Sequence, residues 1–383
     1  MIYLDNAATS FPKPKEVLAK IDKCFKSIGG SPGRGAHLTS LEAGRVVLGA
    51  REAMAQLLEA GSPENIVFTA NATEALNLAI KGSVRDGDTV VTTSVEHNSV
   101  CRPLEYLAEH HQVKVMRAAN FSNGDLNLAH FKELIEKSPD LAVVTHASNV
   151  IGNILPIEEI AAITRKAKVP LLVDAAQTAG SVPISIEKMG VDMLVFAGHK
   201  ALLGPPGTGG LYIGPGVAVR ELKQGGTGGA SKDGQPKIRP DRYESGTPNT
   251  WGIGGLGAAV KFISKIGVEN IYLEESRKMR KLLSGLERIS GIKIYGPNPS
   301  EQRVSLVSLR AKKIDSGELA YLLDKNYGIA TRAGYHCAPE AHQTLGTYDT
   351  GTLRLSPGYF STDEDIEAVV QAIDELSHRT PLR

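Results

Sequence analysis

The chain has 383 residues, with 43 Lys plus Arg against 42 Asp plus Glu, a formal net charge of +1. Hydrophobic residues make up 42% and charged residues 22%, an ordinary globular mix that excludes a disordered, collagen-like or coiled-coil chain. At roughly 150 residues per domain, the length predicts two or three domains. So even a charge gives no overall attraction to nucleic acid or to an anionic membrane. No run of about 18 apolar residues suggests a membrane span. Cys24, Cys101 and Cys337 are too few, and odd in number, for a disulfide framework. A reducing, cytoplasmic setting is therefore expected, and the stretch from Met1 to Asp5 lacks the basic and apolar regions of a signal peptide.

An N-terminal helix is predicted over about residues 14–28. From about residue 60, short apolar runs alternate with helical patterns. Residues 66–69 read as a strand, and 73–81 as a helix with Ala75, Leu76, Ala79 and Ile80 on one face. Strand 88–93, helix 98–110, strand 113–116, helix 127–137, strand 141–145 and helix 157–168 follow. Residues 171–173 and 192–196 are strands, and 210–213 turns back as an antiparallel partner. Residues 220–250 are rich in Gly, Pro and charge and read as a long loop, a kind that is usually functional or mobile. Beyond it come helical residues 252–288, strands 292–295 and 304–309, helix 316–326 and a last helix near 363–378. The first part predicts an α/β fold with a mostly parallel sheet covered on both faces, the second a smaller α+β unit.

Ligands of such sheets sit beyond the carboxyl ends of the strands. Thr73-Glu74 opens a helix there, which suits either a phosphate or a simple cap. Asp174 reads as a metal ligand, a base, a partner for a cationic ring nitrogen, or a helix cap. Asn149 offers amide hydrogen bonds or forms a turn. Lys200 is either a solvated charge or a buried amine of lowered pKa, fit for a Schiff base. The run from Gly204 to Leu211 nearly matches a nucleotide phosphate loop, but Gly210 and Leu211 stand where Lys and Ser/Thr are needed. His336, Cys337 and His342 lie close together without a second cluster at zinc spacing, so no metal site is expected.

Taken together, these residues resemble the class V aminotransferase family of pyridoxal-phosphate enzymes, and within it the cysteine desulfurases and selenocysteine lyases. The motifs are Tyr3-Leu4-Asp5-Asn6-Ala7-Ala8-Thr9, Thr73-Glu74-Ala75-Leu76-Asn77, Glu96-His97-Asn98, Ser148-Asn149, Asp174-Ala175-Ala176-Gln177, Gly198-His199-Lys200, Glu244-Ser245-Gly246-Thr247-Pro248-Asn249 and Arg332-Ala333-Gly334-Tyr335-His336-Cys337-Ala338. They follow the family's order and spacing over nearly the whole chain. The resemblance implies the pyridoxal-phosphate fold type I. Its large domain, 15–255, holds a mostly parallel seven-stranded sheet covered by helices. Its smaller α+β domain, 1–14 and 256–383, carries the acceptor cysteine.

By the same resemblance, Lys200 would carry pyridoxal 5′-phosphate, and Asp174 would keep the ring nitrogen protonated so that the ring acts as an electron sink. His97 would stack on the ring, and Asn149 and Gln177 would bond its phenolic oxygen. Asn71, Ala72, Thr73 and His199 would hold the phosphate. Thr247 would reach the phosphate of a neighbouring subunit, which implies a homodimer, and Gly246 would be cofactor-binding. Arg354 would fork onto the substrate carboxylate, with Asn6, Arg34 and His37 near the site. Cys337 matches the sulfur acceptor, and its neighbours Arg332 and His336 favour the thiolate. Cys24 and Cys101 read as packing. The compact segment around Cys337 is similar to that of the group served by a dedicated sulfur-accepting protein. The implied reaction converts L-cysteine to L-alanine and leaves a persulfide on Cys337, for iron–sulfur cluster or other thio-cofactor assembly. The alternatives are L-selenocysteine as substrate, a C–S lyase, epimerase or transaminase of another amino acid, or a cofactor-binding protein without catalysis. Two departures from the family pattern stand out: Ala197 where Ser is usual, and Tyr359-Phe360 where Tyr-Asn is common.

Overall fold

The computed structural model describes residues 1–33, 35–227, 232, 234–297 and 302–378; Arg34 lies outside them. The chain opens with β1 (Ile2–Tyr3), α1 (Lys15–Ser27) and α2 (Leu38–Leu57). Then come β2 (Ile66–Thr69), α3 (Ala72–Ser83), β3 (Thr89–Thr93), α4 (Asn98–His111), β4 (Lys114–Ala118), α5 (Leu128–Ile135), β5 (Leu141–Thr145), α6 (Ile157–Ala167), β6 (Leu171–Asp174), α7 (Ile186–Met189), β7 (Met193–Ala197) and β8 (Gly209–Ile213). The last third holds α8 (Thr250–Ile266), α9 (Val268–Leu286), β9 (Ile292–Tyr295), β10 (Val307–Ala311), α10 (Ser316–Tyr327), β11 (Ile329–Ala330), β12 (Arg332–Gly334), α11 (Pro339–Leu345), β13 (Thr352–Leu355) and α12 (Asp363–Ser377).

Seven strands form one sheet in the order β2-β8-β7-β6-β5-β3-β4. The pairings from β4 through β7 are parallel, and β8 runs antiparallel to both its neighbours. Strands β5 to β8 are buried along their whole length, as the unbroken apolar runs predict for a sheet covered on both faces. Leu76, Ile80 and Leu104 pack one face of the sheet, while Met54, Phe131, Ile160 and Leu256 pack in the other core. A second sheet, β12-β13-β10-β9, is antiparallel and packs with Leu282, Leu323 and Ile373 of the late helices. Leu4 is buried in this third core, beside the short parallel pair β1-β11.

Helix α2 was not expected from the sequence. Its buried face is built from small residues such as Ala43 and Ala50, while Leu38, Leu41 and Leu48 face outward. That blurs the apolar periodicity on which a helix is recognised. The small residues serve close packing: a Cβ on Gly257 of α8 would lie 2.8 Å from the Ala50 Cβ. Among the described residues, no helix is long and apolar enough to cross a membrane.

Between β8 and α8 the described residues form no helix or strand. The stretch is clamped all the same. Both oxygens of Glu244 accept from the Arg51 guanidinium at 2.7 Å, and one also accepts from the Phe68 amide at 2.6 Å. Arg51 donates further to the Ile66 carbonyl, and Arg239 donates to the carbonyls of Ile213, Gly214 and Val217. The Arg51 side chain is only 6% exposed, so removing its partner leaves a buried charge unpaired. Glu244→Ala is therefore expected to destabilise the fold by about 3–5 kcal/mol. Denaturant unfolding checks this, and Glu244→Gln should recover part of the loss through its amide oxygen.

Candidate active site

The sheet brings five strand ends to one edge: four from the parallel ladder, and that of β2, which points the same way across antiparallel β8. Asn71 follows β2, His97 follows β3, Asn149 follows β5, Asp174 ends β6 and Lys200 follows β7. All five line one cavity of about 210 Å3, together with Ala72, Thr73, Gln177, His199, Arg332 and Arg354. The two arginines come from the second sheet, on β12 and β13. Beneath the cavity, buried Glu96 joins β3 to β5 by accepting from the Thr93 hydroxyl at 2.6 Å and the Thr145 amide at 2.9 Å.

The electrostatics of the cavity follow from burial. Loss of hydration pushes the Lys200 amine down to about 8; Asp174 opposes this, while Arg354 and Arg332 add to it. Burial raises the Asp174 carboxyl, against the Ala176 amide bonded to it at 2.9 Å and the Lys200 charge. His97 caps α4, its Nδ1 accepting from the Ser99 amide at 3.0 Å. That bond leaves the ring proton on Nε2. Burial and four nearby cations hold this imidazole down at about 3, so it is neutral at physiological pH. His199 is likewise held near 4, first by burial and then by Lys200 and Lys13.

Arg354 is 1% exposed and spans the cavity wall. One Nη donates to Asp5 Oδ1 at 2.8 Å, the other to the Asn149 carbonyl at 2.9 Å, and Nε has no partner among the described residues. The Asn149 amide donates in turn to the His336 carbonyl at 2.6 Å. This reaches the turn Tyr335–Ala338, closed by an Ala338 N–H to Tyr335 carbonyl bond of 2.9 Å. Its central residues, His336 and Cys337, have φ of 51° and 61°. For residues with a side chain that left-handed geometry costs roughly 1–2 kcal/mol each. The Asn98 amide braces it further, donating to the Cys337 carbonyl at 2.8 Å. Cys337 is exposed, and Arg332 Nη2 stands 3.4 Å from its sulfur. It lines a surface groove rather than the Lys200 cavity, but His97, Ser99 and Thr73 form walls of both.

Several expected residues lie elsewhere within this chain. Gly246 and Thr247 line a separate cavity of about 260 Å3 with Glu74 and Lys223. His37 is exposed at the start of α2, where its Nδ1 caps the helix. Asn6 lines a smaller pocket that touches Lys200 and Gln177. Asn71 spends its side-chain oxygen on the Glu74 amide as the α3 cap, and the Gln177 amide donates to the Ala7 carbonyl at 3.0 Å. Sequence reasoning missed Ser99. Its hydroxyl is 2.7 Å from that of Thr73 and lines the cavity to which Ala197 brings none. The polar pair Asn98-Ser99 opening a helix was the available signal.

The model of the class-V aminotransferases matches residues 2–369. The chain belongs to that family. A probable cysteine desulfurase of Methanothermobacter thermautotrophicus is 34% identical to it, over 98% of this chain and 94% of that relative. A cysteine desulfurase of Pectobacterium atrosepticum is 31% identical, over 99% and 93%. The solved apo structure of a cysteine desulfurase from Thermococcus onnurineus superposes with a TM-score of 0.92 at 32% identity, covering 98% of this chain and 94% of that one. The family works with pyridoxal 5′-phosphate. The donor set fits that group: an amine of lowered basicity, a buried carboxylate, a neutral imidazole and a helix start whose first amides have no intrahelical acceptor.

Capture of an aldehyde requires the neutral amine. The apoprotein is therefore expected to take up pyridoxal phosphate at Lys200 at a rate that rises with pH and levels off above about 8. Borohydride trapping across a pH series, followed by peptide mapping, checks both the residue and the midpoint.

Proposed function

We propose that this protein is a pyridoxal-phosphate-dependent cysteine desulfurase with Cys337 as its sulfur acceptor. One observation carries the reading: the cavity of the depressed amine Lys200 shares walls with the groove of an exposed thiol, Cys337. The names of the relatives support it. When bound, pyridoxal phosphate supplies an electron sink for negative charge developing at the substrate α-carbon. Lys200 holds the cofactor and, once free, takes the α-proton on Nζ; a basicity near 8 suits that exchange at neutral pH. Asp174 would partner the ring nitrogen, neutral His97 would cover the ring, and the helix start at Ala72 and Thr73, with His199, would hold the phosphate. Asn149 and Gln177, which line the same cavity, would bond the phenolic oxygen. Arg354 receives the substrate carboxylate, and Asn6 borders the same region.

The Cys337 thiolate attacks the sulfur of bound L-cysteine. An S–S bond forms, and the Cβ–S bond breaks with its electron pair left on carbon. Protonation of that carbon gives L-alanine, and the persulfide stays on Cys337 until a sulfur-acceptor protein removes it, for iron–sulfur cluster or thio-cofactor assembly. We further propose a homodimer in which Gly246, Thr247, Arg34 and His37 serve the cavity of a second copy. The exposed positions of Gly246 and Thr247, and the outward apolar residues Leu38, Leu41 and Leu48, support this. Three free cysteines support a cytoplasmic location.

An absorbance titration with pyridoxal phosphate and then L-cysteine, with L-alanine quantified, tests the reading. Lys200→Ala should abolish covalent cofactor binding. Cys337→Ala should keep the cofactor spectrum but lose both the persulfide, read as the mass of one added sulfur, and physiological turnover. Arg354→Ala should raise KM for cysteine by about 10- to 100-fold, the loss of a charge-assisted contact of ~1.5–3 kcal/mol. Alanine release by Cys337→Ala at the full rate with a protein acceptor would remove the acceptor role.

A further inference from the structure

Outside the cavity, a groove of about 450 Å3 runs along α3, from Thr73 to Lys81, and the first half of α4, with Cys337 in its wall. Among the described residues, the charged side chains that line it are Lys81 and Arg102, both cations, and no carboxylate lines it. Neither forms an ion pair among the described residues. Lys81 Nζ instead stands 4.8 Å over the ring of Tyr106, which is 46% exposed and offers an apolar seat. At the Cys337 end, the Arg332 guanidinium reaches the sulfur. Two cations with no carboxylate beside them among the described residues thus line a concavity that ends on a thiol, and a third, Arg332, meets that thiol from the Lys200 cavity. The chain as a whole has a net charge of only +1, so this patch is not a sample of a generally basic surface.

We propose that this groove docks an acidic segment of the sulfur-accepting protein, one that carries the receiving cysteine. The proposal rests on the desulfurase reading above and names the chemistry of its partner. Unpaired cations in a concave surface focus their field outward and raise the encounter rate of an anionic partner. Arg and Tyr are also the residue types that supply contact energy at protein interfaces. The transfer needs no outside oxidant or reductant. The acceptor thiolate attacks the outer sulfur of the Cys337 persulfide and a new S–S bond forms. The bond to Cys337 breaks, and its electron pair leaves as the Cys337 thiolate beside Arg332.

The test uses the holoenzyme supplied with L-cysteine and two synthetic peptides, each with one cysteine. In one the cysteine is flanked by glutamates, in the other by glutamines. The acidic peptide is expected to accept sulfur with a kcat/KM about tenfold higher at low salt, an advantage that shrinks as salt rises. The double variant Lys81→Glu, Arg102→Glu should abolish or reverse that preference, with alanine release driven by dithiothreitol unchanged. Equal rates for the two peptides on the unaltered enzyme overturn the proposal, as does an acidic preference that survives the double variant. Failure of dithiothreitol to drive alanine release from L-cysteine on the unaltered enzyme removes the desulfurase reading itself, and the groove's role with it.

Discussion

The parallel pairing of β4 through β7 is the constraint from which the site follows. Parallel strands in one sheet end at the same edge, and each crossover helix leaves from there. His97, Asn149, Asp174 and Lys200 are spread over more than a hundred positions of sequence. The ladder that sets Thr145 opposite Asp174, and Asp174 opposite Val195, puts them on one rim. β8 reverses direction beside β7, so β2 points the same way as the parallel strands and delivers Asn71 and the start of α3 to that rim as well. The polar residues begin where the apolar strand runs stop, because inside the doubly covered sheet they would lack solvent and partners.

The rim gathers more positive than negative charge. Lys200, Arg332 and Arg354 face Asp174, and the imidazoles of His97 and His199 are held neutral first by burial and then by nearby cations, Lys200 in both cases. An anionic guest relieves this imbalance, and both a phosphate and an amino-acid carboxylate are anionic. The second sheet is tied in through one chain of contacts: Asp5 to Arg354, Arg354 to the Asn149 carbonyl, and the Asn149 amide to the carbonyl of His336. Asn149 thereby touches both the arginine of one strand and the turn that carries the thiol.

Much of this was readable in the residues. Runs such as Leu141–Thr145 and Leu171–Asp174 are too short and too uniformly apolar to be anything but buried strands between helices. The motifs that follow them mark the rim. What escaped the reading shares a physical cause: it depends on partners distant in sequence. Helix α2 turns small residues inward against α8, so its own pattern is weak. β13 is four residues long and stands as a strand only between β10 and β12, yet it carries Arg354. The loop before α8 looked free because its Gly and Pro content hides the buried bond from Glu244 to Arg51, 193 positions away. Nor does the local sequence His336-Cys337, which has no glycine, announce a left-handed turn.

That turn sets the terms on which its sulfur is reached. It is braced by Asn149 at His336, by Asn98 at Cys337, and by its own bond from Ala338 to Tyr335. A thiol so held is a fixed berth, without the slack of a swinging arm. Any molecule that exchanges with it must come the whole distance and fit the shoreline already there. Traffic through the site is then regulated by the supply and shape of the visitor, and the host contributes a constant.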